Sequence, residues 1–315
     1  MAVPVPDNEA DRISVLHGMA VLDTPPETDF DDIVRIASEI CGAPISLVSL
    51  VDTKRQWFKA KIGNISASET PREVAFCAHA IMGRDLMVVP DAMQDARFAD
   101  NPYVQEKDGI RFYAGAPLIT AGGAALGTLC VVDHLPHRLN LDQLRALRAL
   151  AKQVTELLEL RRLVVTGEFD ARPEPRAVDL GYLTEACIRE LRGIADARNI
   201  AITLGLTDHA SVHADPAKLS RALDYVIFTA LKVAPAGGRV AMRVLGSPTP
   251  TIELSHAGGS IAPEWHTDLS GRREADEPVP RAVADILRAH GVTVASTSTI
   301  VGSPDVRFEL RFPAY

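Results

Sequence analysis

Two α+β domains, each a sheet flanked by helices, are what this chain of 315 residues predicts. Three observations lead there. Helix-period apolar segments alternate with short strand-like runs in both halves. A long uninterrupted helical pattern, residues 140–164, closes the first half. Residues 166–176 (TGEFDARPEPR), with two prolines and mixed charge, then separate the halves. At roughly 100–200 residues per domain the length also suits two domains, each able to bury a core. The expected boundaries are an N-terminal arm or helix at 1–20, a first domain at 21–163, a linker at 164–177 and a second domain at 178–315.

In the first half, residues 29–41 place Phe30, Ile33, Ile36, Ala37 and Ile40 on one helical face. Residues 45–52 (ISLVSLVD) and 56–63 (QWFKAKIG) predict two strands around a short polar loop. A helix-like FCAHAIM follows, then LMVVPDA and a loop rich in Asp and Pro. Residues 112–132 (FYAGAPLITAGGAALGTLCVV) carry no charge and are long enough to cross a bilayer. Gly115, Pro117, Gly122 and Gly123 interrupt them, so two strands around a Gly-Gly turn are predicted instead. That makes about five strands.

In residues 140–164, Leu144, Leu147, Ala151, Val154 and Leu158 step by 3, 4, 3 and 4. This spacing suits the seam of a two-stranded coiled coil, hence a homodimer, and equally a helix packed on its own sheet. The second half predicts helices at 179–198, 216–232 and 279–290, and strands at 200–206, near Val240 and Leu254, and twice before Phe312.

Composition narrows the partners. The 33 Lys and Arg against 41 Asp and Glu give a net charge of −8, without a basic block, which argues against nucleic acid. Four scattered cysteines make neither a disulfide framework nor a zinc ribbon. The opening MAVPVPDNEADR is acidic and proline-bearing, unlike a secretory leader. A soluble, cytoplasmic protein with no membrane partner is expected.

The segments VLDTPPETDFDDIVRIA, VSLVDTKRQWFKAKIG, ETPREVAFCAHAI, VVPDAMQDARFADNP, IRFYAGAPL and LGTLCVVD together resemble one branch of the GAF sensor domains, from about Val21 to Leu160. The resemblance implies a small-molecule or redox sensing module that often dimerises through terminal helices. It places Phe76, Cys77, His79, Phe112, Tyr113 and Cys130 near the family's pocket, with the ligand unspecified. Cys77 and His79 are two apart, so on a helix they diverge, and no metal site is predicted. A buried structural thiol with a satisfied histidine, a redox thiolate and a metal contact are the alternatives. Bilin attachment has against it that Ala78, not histidine, follows Cys77.

The second half, with VDLGYLTEACIREL, HADPAKLSRALDYVIFTALKVAPAGGRVAMRV, RAVADILRAHGVTV and VRFELRFP, is similar to the ATP-binding domain of histidine kinases, an α/β sandwich, from about Val178 to Pro313. Here the chain departs from the family's site. Thr229 stands where the family has the magnesium-holding asparagine, with Tyr225 at a neighbouring polar position. His256 (or Ser255) stands for the adenine-binding aspartate, and Gly258 and Ser260 for the glycines of that turn. EPVPRAVADIL has two prolines where a Gly-rich phosphate loop is expected. Lys232, Gly237 and Gly238 match the pattern but suit a helix end and a turn. No histidine lies between His137 and His209, so the intervening helices offer no phosphoacceptor.

The leading expectation is a non-catalytic signalling protein: a GAF sensor coupled to a pseudo-kinase domain that binds a two-component partner, whether kinase, receiver or phosphotransfer protein. No cofactor is expected on that reading. The alternatives are an atypical histidine kinase, which would bind ATP and magnesium, and a docking scaffold for receiver or phosphotransfer proteins. Neither a nucleophile elbow nor a metal-ligand run supports hydrolase chemistry.

Overall fold

A computed structural model describes residues 3–170, 172–257, 277–298 and 305–313. The chain divides into two units, Met1–Arg162 and Leu163–Tyr315.

The first unit is built on a six-stranded antiparallel sheet of order β3-β2-β1-β6-β5-β4. Its strands are β1 (Ile45–Val51), β2 (Arg55–Ile62), β3 (Glu69–Pro71), β4 (Met87–Val89), β5 (Phe112–Ile119) and β6 (Ala125–Asp133). Every residue of β1 is buried, so both faces of this central strand are covered. The helices are α1 (Glu9–Gly18), α2 (Thr28–Cys41), α3 (Phe76–Ala80), α4 (Pro102–Gln105) and α5 (Leu141–Val165). The five apolar residues expected on one face of α2 are all buried, and the helix stops at Gly42, whose φ of 64° suits glycine at a helix end. The apolar run 112–132 is β5, a turn and β6, with Gly123 at φ 85° in the turn. Among the described residues no helix is long and apolar enough to cross a membrane.

The proposed subunit seam lies inside this unit. Leu147, Val154 and Leu158 are fully buried and Ala151 nearly so, while Leu144 is half-buried. A coiled coil through these positions would strip them from their own core, so the 3-4-3-4 spacing here marks a core-facing helix. Both ends of α5 are tied down. Gln143 Nε2 donates to the Ile40 carbonyl at 2.9 Å, and Arg161 donates to the Ala20 carbonyl at 2.8 Å and to Glu27 at 2.6 Å.

At the other end of the chain segment, Glu9 accepts from Arg12 at 2.8 Å and from Arg72 at 2.5 Å. Burial pushes the Glu9 carboxyl up, but hydrogen bonds and charge from Arg12 and Arg72 prevail and hold it at about 2, against an ordinary 4.5. A carboxyl lowered by folding stabilises above its unfolded value, and that contribution is lost as pH falls through the folded one. The shift corresponds to at most about 3 kcal/mol, reduced by solvent screening to about 1 kcal/mol. Glu9→Gln is therefore expected to flatten the acid limb of stability between about pH 4.5 and 2, measured by urea unfolding across that range.

The second unit has a five-stranded sheet of order β12-β13-β11-β10-β8 and a two-stranded ribbon β7-β9. Its strands are β7 (Arg176–Asp179), β8 (Ala201–Thr207), β9 (Ser211–Ala214), β10 (Arg239–Leu245), β11 (Thr251–Ala257), β12 (Thr293–Ser298) and β13 (Asp305–Arg311). Only β8 and β10 pair in parallel, with α7 in the crossover between them. The helices are α6 (Leu180–Ala197), α7 (Pro216–Val233) and α8 (Pro278–Ala289). On β10 buried residues alternate with more exposed ones, so one face of this sheet is covered. Asp215 caps α7, accepting from Ala217 and Lys218 N–H at 3.1 Å each, with Pro216 in the first turn. The buried His290 joins α8 to this cap. Its Nε2 accepts from the Asp215 N–H at 3.0 Å and its Nδ1 donates to the Ile286 carbonyl at 2.7 Å.

Candidate functional site

The site in the first unit forms where α3 lies on the sheet. Alternation along β6 puts Thr128, Cys130 and Val132 on one face, and along β5 it puts Tyr113 and Gly115 there. Cys77 on α3 comes down onto this face. Its Sγ lies 3.9 Å from Cys130 Sγ, and the Tyr113 hydroxyl donates to it at 3.5 Å, with Thr128 Oγ1 3.4 Å from that hydroxyl. Cys77, Tyr113 and Cys130 are all buried. Phe76 stacks on Phe98 with centroids 4.0 Å apart and tilts against Tyr113 at 5.3 Å. His79 is half-buried and meets the Phe98 ring edge-on at 4.8 Å. Burial, then the Arg97 charge, lowers its pKa, favouring the neutral ring.

The hydrogen bond with Cys130, against the opposing effect of burial and helped by Thr128, Ser49 and Tyr113, lowers the Cys77 thiol below its ordinary range. The hydrogen bond to Cys77, then burial, raises Cys130 well above it. Burial also raises Tyr113, so its phenol stays protonated and able to donate.

Of the expected pocket residues, Phe76, Cys77, Tyr113 and Cys130 come together, and His79 borders them through Phe98. Phe112 does not. As the strand neighbour of Tyr113 it faces the opposite side of the sheet, where its ring lies 5.0 Å from that of His137. Phe98, Thr128, Ser49 and Gly115 belong to the cluster without having been singled out. Thr128 and Gly115 were findable, each two residues along its strand from Cys130 or Tyr113. A Cβ at Gly115 would sit 2.1 Å from the Tyr113 hydroxyl oxygen, which the packed ring has no room to yield. Gly115→Ala is expected to cost about 2 kcal/mol by overpacking, measured by urea unfolding.

Among the described residues no three His, Cys, Asp or Glu side chains are grouped to hold a metal ion.

In the second unit, Tyr225 and Thr229 are buried on α7, and the Thr229 hydroxyl has no hydrogen-bond partner among the described residues. Lys232 is half-buried, its Nζ 6.0 Å from the Tyr225 ring centroid and 5.7 Å from that of Phe228. His256 is buried on β11, opposite Val240 of β10 and Val306 of β13. Gly258 and Ser260 lie outside the described residues. Pro278 and Pro280 fall in the first turn of α8.

The first unit is a central antiparallel sheet with helices against it and a small buried polar cluster. Residues 25–158 match the GAF domain family and form a GAF domain. The cyclic di-GMP phosphodiesterase PA2567 of Pseudomonas aeruginosa is 45% identical over 133 residues, which cover 42% of this chain and 22% of that protein. Solved structures similar to the chain include the catalytic domain of histidine kinase ThkA (TM-score 0.38, 16% identity, 44% of this chain and 97% of that one). Another is the Acinetobacter baumannii histidine kinase AdeS (TM-score 0.40, 16% identity, 56% and 85%). A third is the mycobacterial sensor histidine kinase MprB (TM-score 0.37, 20% identity, 44% and 97%).

Proposed function

We propose that this chain is a signal-transduction protein in which a GAF sensory module is coupled to a kinase-like second unit that acts by binding a partner, not by phosphoryl transfer. The observation that carries the reading is Thr229, a buried threonine on α7 at the position of the magnesium-holding asparagine in the kinases that the sequence resembles. Its single hydroxyl is a poorer oxygen ligand than an amide carbonyl, and in the helix interior it is screened from solvent. Pro278 and Pro280 support the same reading, because neither has an N–H to offer a phosphate where the family uses backbone donors. The absence of histidine between His137 and His209 removes the ordinary phosphoacceptor. A two-component protein, whether kinase, receiver or phosphotransfer protein, is the partner class this reading favours.

Calorimetric titration of the purified chain with ATP, with and without magnesium, tests it. No heat is expected in either case. Magnesium-dependent binding in the micromolar range, strengthened in Thr229→Asn, would overturn the proposal and favour an atypical kinase.

A further inference from the structure

We propose that Cys77 and Cys130 form a reversible redox pair, a dithiol that small peroxides convert to a disulfide bridging α3 and β6. The two sulfurs are 3.9 Å apart with no atom needing to pass between them, and the other free cysteines, Cys41 and Cys187, lie elsewhere in the fold. A disulfide needs about 2 Å between sulfurs, so the gap closes by about 2 Å of side-chain and local backbone movement. The short α3, five residues long and followed by a turn through Ile81 and the exposed Met82, is the element assigned that movement. This inference stands on the first unit alone and is independent of what the second unit does.

The surroundings assign the roles. Cys77 is the attacking sulfur, because the Tyr113 hydroxyl donates to it at 3.5 Å and favours its thiolate. Cys130 is the resolving sulfur, held protonated until Cys77 has reacted. The Cys77 thiolate attacks one oxygen of hydrogen peroxide. The O–O bond breaks, a sulfenic acid forms on Cys77, and the departing hydroxide takes up the proton shed by Cys77 to leave as water. Cys130 then attacks the sulfenic sulfur. The S–S bond forms, the S–O bond breaks, and the second hydroxide leaves as water with the proton from Cys130. Two thiols are oxidised to one disulfide and one peroxide is reduced to two waters. Because both sulfurs are buried, glutathione disulfide and protein thiols are excluded, and the oxidant this pair takes is a small neutral one.

Mass spectrometry of the full chain after brief treatment with a few equivalents of hydrogen peroxide tests this. The expected result is a loss of 2 Da relative to reduced protein on the order of one disulfide, a cross-linked peptide pair containing Cys77 and Cys130, and its disappearance after dithiothreitol. Cys41 and Cys187 are expected to stay fully alkylatable once the protein is unfolded. In Cys130→Ser, dimedone present while the peroxide-treated protein is unfolded is expected to label Cys77, whereas Cys77→Ser is expected to leave Cys130 unlabelled. Recovery of Cys77 and Cys130 as free thiols in treated wild-type protein would overturn the proposal, as would cross-linking of either to Cys41 or Cys187. The wild-type peptide map decides the matter even if a variant does not fold.

Discussion

Glu27→Gln is expected to be among the most damaging single substitutions in the first unit, at about 3 kcal/mol, the lower end of the range for breaking a buried ion pair. Glu27 Oε1 accepts from Lys59 Nζ and from Arg161 Nε, each at 2.6 Å, and none of the three side chains is more than 12% exposed. One carboxylate therefore neutralises two interior cations, one from β2 and one near the end of α5. Glutamine keeps an acceptor oxygen but no charge, and two buried cations are left facing each other. Lys59 retains Thr24 Oγ1 at 3.0 Å and the Pro25 carbonyl at 2.7 Å, which limits the loss.

The defect also carries a pH signature. Burial already lowers the Lys59 pKa, against the pull of Glu27, and removing Glu27 lowers it further. Where folding lowers a lysine pKa, the unfolded chain binds more protons, so stability rises with pH through that window. Alkaline solution is thus expected to rescue Glu27→Gln relative to wild type. Urea unfolding followed by the buried Trp57, in a Trp265→Phe background, reads both effects; equal stability of the two proteins near neutral pH would refute the shared-carboxylate account.

Phe98→Ala is expected to cost about 3–5 kcal/mol, the usual range for truncating a buried aromatic. Phe98 is 1% exposed and holds three groups at once: Phe76 stacked at 4.0 Å, His79 edge-on at 4.8 Å and the Arg97 guanidinium over its ring at 5.1 Å. Phe76 and His79 are both on α3, so the cavity left by truncation opens under the helix that carries Cys77. Phe98→Leu, which nearly conserves volume, is expected to cost less than about 1.5 kcal/mol. A comparable loss in both variants by the same urea assay would mean that the ring contacts, lost in both, outweigh the cavity, which only Phe98→Ala opens.

The longest elements were legible because their patterns have one reading. Five apolar residues at helical spacing followed by Gly42 define α2, and the glycines of residues 112–132 turn an apparent membrane span into β5 and β6. Short pairings were not. Residues 69–71, and the ribbon of Arg176–Asp179 with Ser211–Ala214, are three or four residues each, too short to establish alternation, and tertiary contact decides them. The site followed the same division. Cys77 and Cys130 could be named from the resemblance, but their separation of 53 residues gave no hint that their sulfurs meet. Phe112 was drawn in by its neighbour Tyr113, although adjacency along a strand is what places two side chains on opposite faces. The α5 spacing left two readings open for a different reason, since a partner helix and the protein's own core impose the same period.

Strand β13 occupies an interior position, between β12 and β11, although it follows both of them along the chain. Until residues 305–311 emerge, β11 presents an open edge and β12 has no neighbour to pair with. During synthesis this unit stays an incomplete sheet with an unpaired edge until those residues emerge, while the GAF domain upstream already has every strand of its own sheet. A premature stop ahead of residue 305 would accordingly yield not a shortened second unit but an aggregation-prone one attached to a folded sensor.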